Sequence, residues 1–454
     1  MNILVIVAFI AGYVLIALEH PIRINKTATA ILTGVVCWTL FVFMEPSQVV
    51  LESAAFSDFK SLLSIEQGQE GIEAMAPSEM HREFVGHELN EHLAAIAQIL
   101  FFLLGAMTIV ELVDAHRGFR YITDRIKTQN PRTLLWIICF VTFFLSAILD
   151  NLTTSIVMVS LIRKLIHDKE MRLTFAGMIV IAANAGGAWT PIGDVTTTML
   201  WIGGQVSTSA IVTSLFIPSL ICLLVPVLFL GFRLKGKNLK AADSIHPTTE
   251  VKGGRLMLFL GVGALISVPV FKTVTHLPPY LGMLFGLGIL WVVSEVLHPE
   301  LDDVAKRNYT VAGALSRVDV PSVLFFLGIL LAVGSLESMQ VLNQFAAYLD
   351  RTLGDQRIII TLIGVLSAIV DNVPLVAASM GMYSLDTYPM DHMIWEYLAY
   401  CAGTGGSILI IGSAAGVAVM GMEKVDFIWY LKRISFLALL GYLGGALAYV
   451  LMKG

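Results

Sequence analysis

Asp150-Asn151 and Asp371-Asn372 put two carboxylate–amide pairs inside apolar stretches, where a buried charge is costly and usually functional. The string LSAILDN at 145–151 returns as LSAIVDN at 366–372, 221 residues later. Thr153 and Thr154 follow the first pair closely. A third carboxylate, Asp194, lies in the Gly- and Pro-rich string NAGGAWTPIGDVTT at 184–197. The string GTGGSILIIGSAAG at 403–416 repeats its GG and IG steps 219 residues on. Gly and Pro free backbone carbonyls from the helical ladder, and such carbonyls can face an ion. Carboxylate, amide, hydroxyl and carbonyl oxygens are the donors a hard cation such as sodium takes, by analogy with calcium and magnesium. No Lys or Arg lies in either tip or either Gly-rich string. Asp150, Asp194 and Asp371 must therefore take a proton, take a cation or face water. Burial favours the neutral form of a carboxyl, so proton and sodium can compete for one site. Each Asp also suits a helix cap beside Gly and Pro, and a cap can also be a ligand.

The elements holding these residues read as membrane helices. Of 454 residues, 56% are hydrophobic and 14% charged, against roughly 25% charged in a soluble domain. The net charge of −5 is small and spread out, so nothing points to nucleic acid. The four cysteines all sit in apolar stretches, which predicts neither disulfides nor a CxxC metal site. Spans are expected near 3–18, 27–44, 93–113, 172–204, 209–232, 256–274, 278–297, 321–341, 393–422 and 427–452. The first opens without a basic n-region and reads as a retained span. Stretches 133–163 and 358–385 are each interrupted by an Asp-Asn pair, leaving arms of 12–17 residues. They read as re-entrant hairpins with polar tips.

Lys and Arg near the span ends set orientation. Loops 20–26, 114–132, 163–172, 233–255 and 299–320 are basic and belong inside. Loop 45–92 holds ten acidic residues against Lys60 and Arg82, and belongs outside. Both termini then lie outside, in the periplasm of a bacterial inner membrane. Five crossings separate the two copies of the hairpin and Gly-rich string, an odd number, so the repeats must be inverted. The expected fold is all-α: residues 1–232 form the first repeat, 233–255 a cytoplasmic linker and 256–454 the second. Inverted repeats with broken helices at the midplane mark secondary transporters.

Two Asp-Asn tips paired with two Gly-rich breaks resemble the ion-transporter superfamily of dicarboxylate transporters, arsenite pumps and NhaD antiporters. The early EHPIRINKTATAILTG at 19–34 is similar to the start of NhaD-type sodium/proton antiporters. Dicarboxylate carriers have neutral Ser-Asn-Thr tips, whereas both tips here carry Asp. The resemblance implies a scaffold, two hairpin-bearing transport regions, a homodimer and elevator-type movement. By motif match it implies ion-site roles for Asp150, Asn151, Asn184, Asp194, Thr196, Asp371, Asn372, Ser407 and Ser413. The site is lopsided, since Ser413 stands where the first break has Asp194.

Glu111 and Glu337 end the third and eighth spans at matching positions, and suit either proton relay or interfacial caps. His81, His87 and His92 lie among acidic residues of the 45–92 segment; they suit a pH sensor or an adventitious metal site, and read more readily as a solvated surface helix. The basic RGFRYITDRIK at 117–127 reads as an interfacial arm helix. Exchange of sodium or lithium for protons is the expected function, with no cofactor beyond the transported ions. An organic-anion symporter or an arsenite exporter would share the scaffold. A membrane hydrolase finds no HExxH or GxSxG arrangement, and no P-loop is present.

Overall fold

The computed structural model describes residues 3–17, 19–123, 125–126, 128, 130–234, 253–299, 302, 306–369 and 371–453. Most of the expected 233–255 linker lies outside the described residues. The main helices are α1 (Ile3–Ala17), α2 (Lys26–Phe43), α3 (Ala54–Ala74), α4 (Pro77–Ala115), α5 (Pro131–Leu149), α6 (Asn151–Leu165) and α7 (Lys169–Gly187). They continue as α8 (Val195–Ile202), α9 (Thr208–Arg233), α10 (Gly254–Thr275), α11 (Pro279–Leu297), α12 (Val320–Ser338) and α13 (Val341–Leu353). The last are α14 (Gln356–Leu366), α15 (Asn372–Met382), α16 (Met393–Gly405), α17 (Ala414–Glu423), α18 (Phe427–Arg433) and α19 (Ser435–Lys453). Eight described helices (α2, α4, α5, α9, α10, α11, α12 and α19) are long and apolar enough to cross a membrane. The chain is a multi-pass membrane protein.

Several expected boundaries move. The 45–92 segment is not a loop: it forms a short helix at Gln48–Leu51, then α3, then the first turns of α4. α4 runs 39 residues, straight from the His-rich segment into the expected third span. Pro77 at its first turn suits a helix start, and no Pro follows inside it. His81 is not solvated but buried, with Nε2 2.9 Å from the Phe41 carbonyl oxygen. The expected arm helix at 117–127 shrinks to a single turn, Arg120–Thr123, preceded by Arg117 at positive φ. Asp124 and Lys127 lie outside the described residues. α5 has 19 residues, longer than the expected hairpin arm, because Asn130 caps it and Pro131 starts it. The two arms at the second tip, α14 and α15, have 11 residues each. The expected last span divides at Ile434 into α18 and α19.

The chain forms two compact units, each drawing on both halves of the sequence. Unit one comprises Met1–Leu100, Asp319–Gln356 and Ala377–Tyr388. In it α12 packs along α2, and α1 packs on α2. Gly34 and Gly328 lie at that crossing: a Cβ on Gly328 would come within 2.5 Å of the Ala30 backbone. Unit two comprises Phe101–Val318, Arg357–Val376 and Pro389–Gly454. Here α5 and α6 pack on each other and on α7, α6 also packs on α17, and α9 pairs with α19.

Two breaks interrupt paired helices in unit two: residues 188–194 between α7 and α8, and 406–413 between α16 and α17. The same backbone contacts hold both. Ser146 Oγ donates to the Ala183 carbonyl at 2.7 Å, and Ser367 Oγ to the Ala402 carbonyl at 3.0 Å. A Cβ on Gly186 would overlap the Phe143 carbonyl oxygen, and one on Gly405 the Gly364 carbonyl oxygen. These pairs keep the sequence offsets of 221 for the hairpins and 219 for the breaks. The far ends are tied as well. Arg163 and Arg172 both pair with the buried carboxylate of Glu423 at the end of α17. Asp391, 219 residues beyond Arg172, donates its N–H to the Gln205 carbonyl and accepts from the Ser207 N–H beyond the end of α8.

Backbone oxygens cannot swing aside, so Gly186→Ala and Gly405→Ala should each cost about 3 kcal/mol or more. Both should yield aggregated or low-melting protein by size exclusion and thermal unfolding in detergent. Gly421→Ala, whose Cβ would meet nothing within 4 Å, should behave like wild type.

Candidate functional site

Asp194 sits at the end of the first break, as the N-cap of the eight-residue α8. Its residue is 2% exposed. Oδ1 accepts from the Thr196 N–H at 3.1 Å, as expected of a cap. Oδ2 points the other way and accepts from both hairpin tips: Asn151 Nδ2 at 2.8 Å and Asn372 Nδ2 at 3.4 Å. All three donors are uncharged. The half-helix dipole of α8 also favours a negative charge here. Asp150 and Asp371 lie within coulombic reach of the same carboxylate.

A second polar layer continues from the same amide. Asn151 uses its other N–H on Asn184 Oδ1 at 3.1 Å. Asn184, fully buried on α7, spends both its own N–H groups on the second break, reaching Ser413 Oγ at 2.9 Å and Ser407 Oγ at 3.2 Å. Ser413 caps α17 by accepting from the Gly416 N–H at 3.2 Å, the place Asp194 holds on α8. Ser407 Oγ donates to the Thr404 carbonyl at 2.9 Å. Position 403, which is 219 beyond Asn184, is glycine. A Cβ there would stand 3.6 Å from Asp194 Oδ2. One half thus supplies the amide and the carboxylate, and the other supplies a glycine and a hydroxyl.

The tip aspartates differ from Asp194. Asp150 caps α6, with its carboxylate taking the Thr153 N–H at 2.7 Å and the Thr153 hydroxyl at 2.8 Å. Its backbone lies at φ 123°, ψ 161°, a region essentially reserved for glycine. The tip therefore holds a strained conformation where the two arms join. Asp371 Oδ1 accepts from the Val373 N–H at 3.3 Å. Both tip carboxylates are half-buried, while their Asn partners are buried. One turn on, the hydroxyls of Thr154 and Ser155 are fully buried and take no hydrogen bond among the described residues.

The structure thus brings together Asn151, Asn184, Asp194, Thr196, Asn372, Ser407 and Ser413 in one hydrogen-bonded cluster, with Asp150, Thr153 and Asp371 at its margins. Every one of these residues belongs to unit two. Glu111, also in unit two, is ion-paired with Arg317 at 3.2 Å. Glu337 belongs to unit one.

Sequence reasoning missed three further charged groups in apolar helices. Glu396, 1% exposed on α16, accepts from Ser214 Oγ and the Tyr449 hydroxyl and pairs with Lys453 at 3.0 Å. Glu423 carries the arginine clamp described above. Lys272 on α10 donates to the Trp201 carbonyl at 2.8 Å, near the last turn of α8, and lies 4.6 Å over the Trp201 ring. Glu396 and Lys272 were visible as lone charges inside expected spans, and Glu423 lay just beyond the end of one. Their partners were not visible, because the partners lie 53 to 260 residues away along the chain.

Comparisons with known proteins fit this arrangement. The profile of a family described as citrate transporter matches residues 13–403. Sodium/proton antiporter 1 of Arabidopsis thaliana is 54% identical over 365 residues, covering 80% of this chain and 63% of that relative. The chain thus matches just under two thirds of that relative's length. Sodium/proton antiporter 2 of the same plant is 44% identical over 443 residues, 97% of each chain. The Na(+)/H(+) antiporter NhaD of Alkalimonas amylolytica is 30% identical over 459 residues, covering 92% of this chain and 91% of that one. The crystal structure of the Alcanivorax borkumensis YdaH transporter superposes with a TM-score of 0.56 at 13% identity, covering 94% of this chain and 98% of that one, a likeness of fold. With a transporter profile across most of its length and antiporter relatives at this identity, the chain belongs to the NhaD-type sodium/proton antiporter family.

Proposed function

We propose that this protein exchanges sodium, and lithium by the same donors, for protons across an energised membrane. The observation that carries the reading is Asp194: a buried carboxylate whose hydrogen-bond donors are all neutral. An anion that keeps its charge at that depth is costly. A proton or a sodium ion relieves the cost equally well, so each excludes the other. The amides of Asn151 and Asn372 hold the empty carboxylate. Rotation of either amide would present its oxygen to an arriving cation. Asp150 and Asp371 add negative potential that draws the cation in, with Thr153, Thr154, Thr196, Ser407 and Ser413 as candidate oxygen donors around it.

The named breadth of the family raises organic anions as the rival cargo. A citrate-like substrate would meet the Asp194 carboxylate and its two acidic neighbours with no basic partner, so repulsion argues against it. Glu111 and Glu337 are the proposed relay carboxylates, of which Glu111 must first leave Arg317. The inverted repeats of 1–232 and 256–454, elevator-type alternating access and a homodimer complete the proposal. Repeat symmetry and basic-loop placement support both termini on the face opposite 114–132, the periplasmic face in a bacterial inner membrane. Relatives come from a plant as well as from bacteria, and the same reasoning applies to any membrane that holds a proton gradient.

Sodium should dissipate an imposed proton gradient in proteoliposomes, read by a pH-sensitive dye, and citrate should not. The reverse result overturns antiport. Asp194→Asn should reduce sodium-driven proton movement by about 100-fold or more, equivalent to about 2.7 kcal/mol. Ser413→Ala should cost less than about tenfold, because a neutral hydroxyl binds a cation more weakly than a carboxylate. Asp150→Asn should fall between them, since Asn can still cap α6. A wild-type sodium constant in Asp194→Asn would remove this residue from the ion site. Single cysteines at exposed ends should label Lys453 and Glu52 from one face and Arg125 from the other; labelling of Lys453 and Arg125 from the same face would defeat the inverted arrangement.

A further inference from the structure

At the start of α10 two arginines close on a single aromatic ring, within unit two but apart from every residue assigned above to the ion site. Tyr121, in the turn Arg120–Thr123, has the Arg125 guanidinium 3.9 Å and the Arg255 guanidinium 4.7 Å from its ring centroid. Arg125 also donates to the Tyr121 carbonyl. Arg255 stands in the first turn of α10, and Phe259, one turn on, meets Tyr121 edge-on with centroids 6.3 Å apart. Backbone contacts fix the turn on the helix. A Cβ on Gly118 would stand 3.0 Å from the Gly254 carbonyl oxygen, and one on Gly254 would stand 2.6 Å from the His116 carbonyl oxygen. Both arginines are exposed. Among the described residues neither has a carboxylate partner; Glu111 and Glu295 are paired with Arg317 and Lys306, each at 3.2 Å. A guanidinium stacked on a ring keeps its N–H edge for a bidentate acceptor such as a phosphate. Two cations held this close repel, and an anion bound to both relieves the repulsion.

An apolar groove begins at the next residue, Leu256. α10 and α11 have the smallest buried share of the described spans, 28% and 33%, against 44% or more for the other six. Along them lie two adjoining apolar pockets of about 500 and 540 Å³. The first is lined by Leu256 and Leu297, the second reaches Leu284, and both include Val292 and Val293. From Leu297 to Leu284 α11 rises about 20 Å, and the hydrocarbon of one leaflet is about 15 Å thick. The groove is therefore long enough to hold an acyl chain through the whole leaflet. Its Leu297 end is the one beside the arginines, because Gly253 presses on Leu297, whose side chain a Cβ there would overlap.

We propose that this corner binds one anionic phospholipid, with its phosphate on Arg125 and Arg255 and one acyl chain in the groove between α10 and α11. Basic pockets between membrane helices are a general seat for anionic headgroups. A zwitterionic lipid brings its own cation toward the arginines and gains less. A free phosphate has no chain, so it leaves the groove unfilled and forgoes the burial of apolar surface. The site stands whichever ion the protein carries.

The test counts lipids retained by the purified protein in detergent, by native mass spectrometry, with dioleoylphosphatidylglycerol or dioleoylphosphatidylcholine added at equal concentration. Wild type should retain one phosphatidylglycerol per chain, and phosphatidylcholine about tenfold more weakly. Arg125→Gln combined with Arg255→Gln should weaken phosphatidylglycerol retention by about tenfold or more. Gly288 lines the second pocket, and a Cβ there would meet nothing within 4 Å. Gly288→Phe should therefore fill the groove without disturbing α11, and weaken retention by about fivefold. If the arginine variant does not purify folded, Gly288→Phe decides alone. Equal retention of the two lipids, or wild-type retention by Gly288→Phe, overturns the proposal. So does complete displacement of the lipid by inorganic phosphate. An equal loss in Arg132→Gln combined with Arg233→Gln would mark general surface charge and overturn it too. If Gly288→Phe turns a dimer into a monomer and keeps its lipid, the groove is an interface between copies and the proposal falls.

Discussion

The polar cluster of unit two centres on one buried carboxylate held by neutral donors. A charged partner for Asp194 would neutralise it permanently, and its donors among the described residues are all neutral. The amides of Asn151 and Asn372 give enough hydrogen bonding for the charge to be tolerated, and too little for it to be content. Each amide comes from a different hairpin tip, and the peptide N–H of Thr196 comes from the half-helix behind. The carboxylate is thus where two halves of the chain meet. Asn184 extends the same logic, since both its donors end on hydroxyls of the opposite break.

That meeting depends on backbone approaching backbone. Helices that must end in mid-membrane need their freed carbonyls covered by protein. In both halves the cover comes from a glycine pressed on a carbonyl of the preceding hairpin, with a serine hydroxyl donating alongside. The ends of the broken helices are then pinned by polar ties, an arginine clamp on Glu423 and the Asp391 contacts with residues 205–207. Position is thereby fixed at both ends of each break, and the polar middle is free to be a site.

Much of this was legible in the amino-acid order. The Asp-Asn tips, the Gly-rich breaks and the lopsided Asp194/Ser413 pair follow from repeated strings alone, and the structure joins the residues they named. Helix ends were less legible: Asn130 with Pro131 lengthened α5, and nothing in composition said that 45–92 would fold into helices running into the third span. Long-range partners were not legible at all. Glu396 and Lys272 announce themselves only as polar residues in apolar surroundings, and Glu423 only as a charge at a span end. The residues that answer them are set by tertiary packing over large sequence separations. Asp150 shows the converse, for its local Thr153 contacts were foreseeable as a cap, whereas its glycine-like backbone was not.

The glycine-to-carbonyl contacts also bear on how freely nearby side chains can vary. They lock tip against break through main-chain atoms, assisted by Ser146 and Ser367, so this contact makes little demand on the side chains of the polar cluster. Side chains at matching positions can therefore differ while the main-chain contacts stay alike, as Asn184 against Gly403 and Asp194 against Ser413 illustrate.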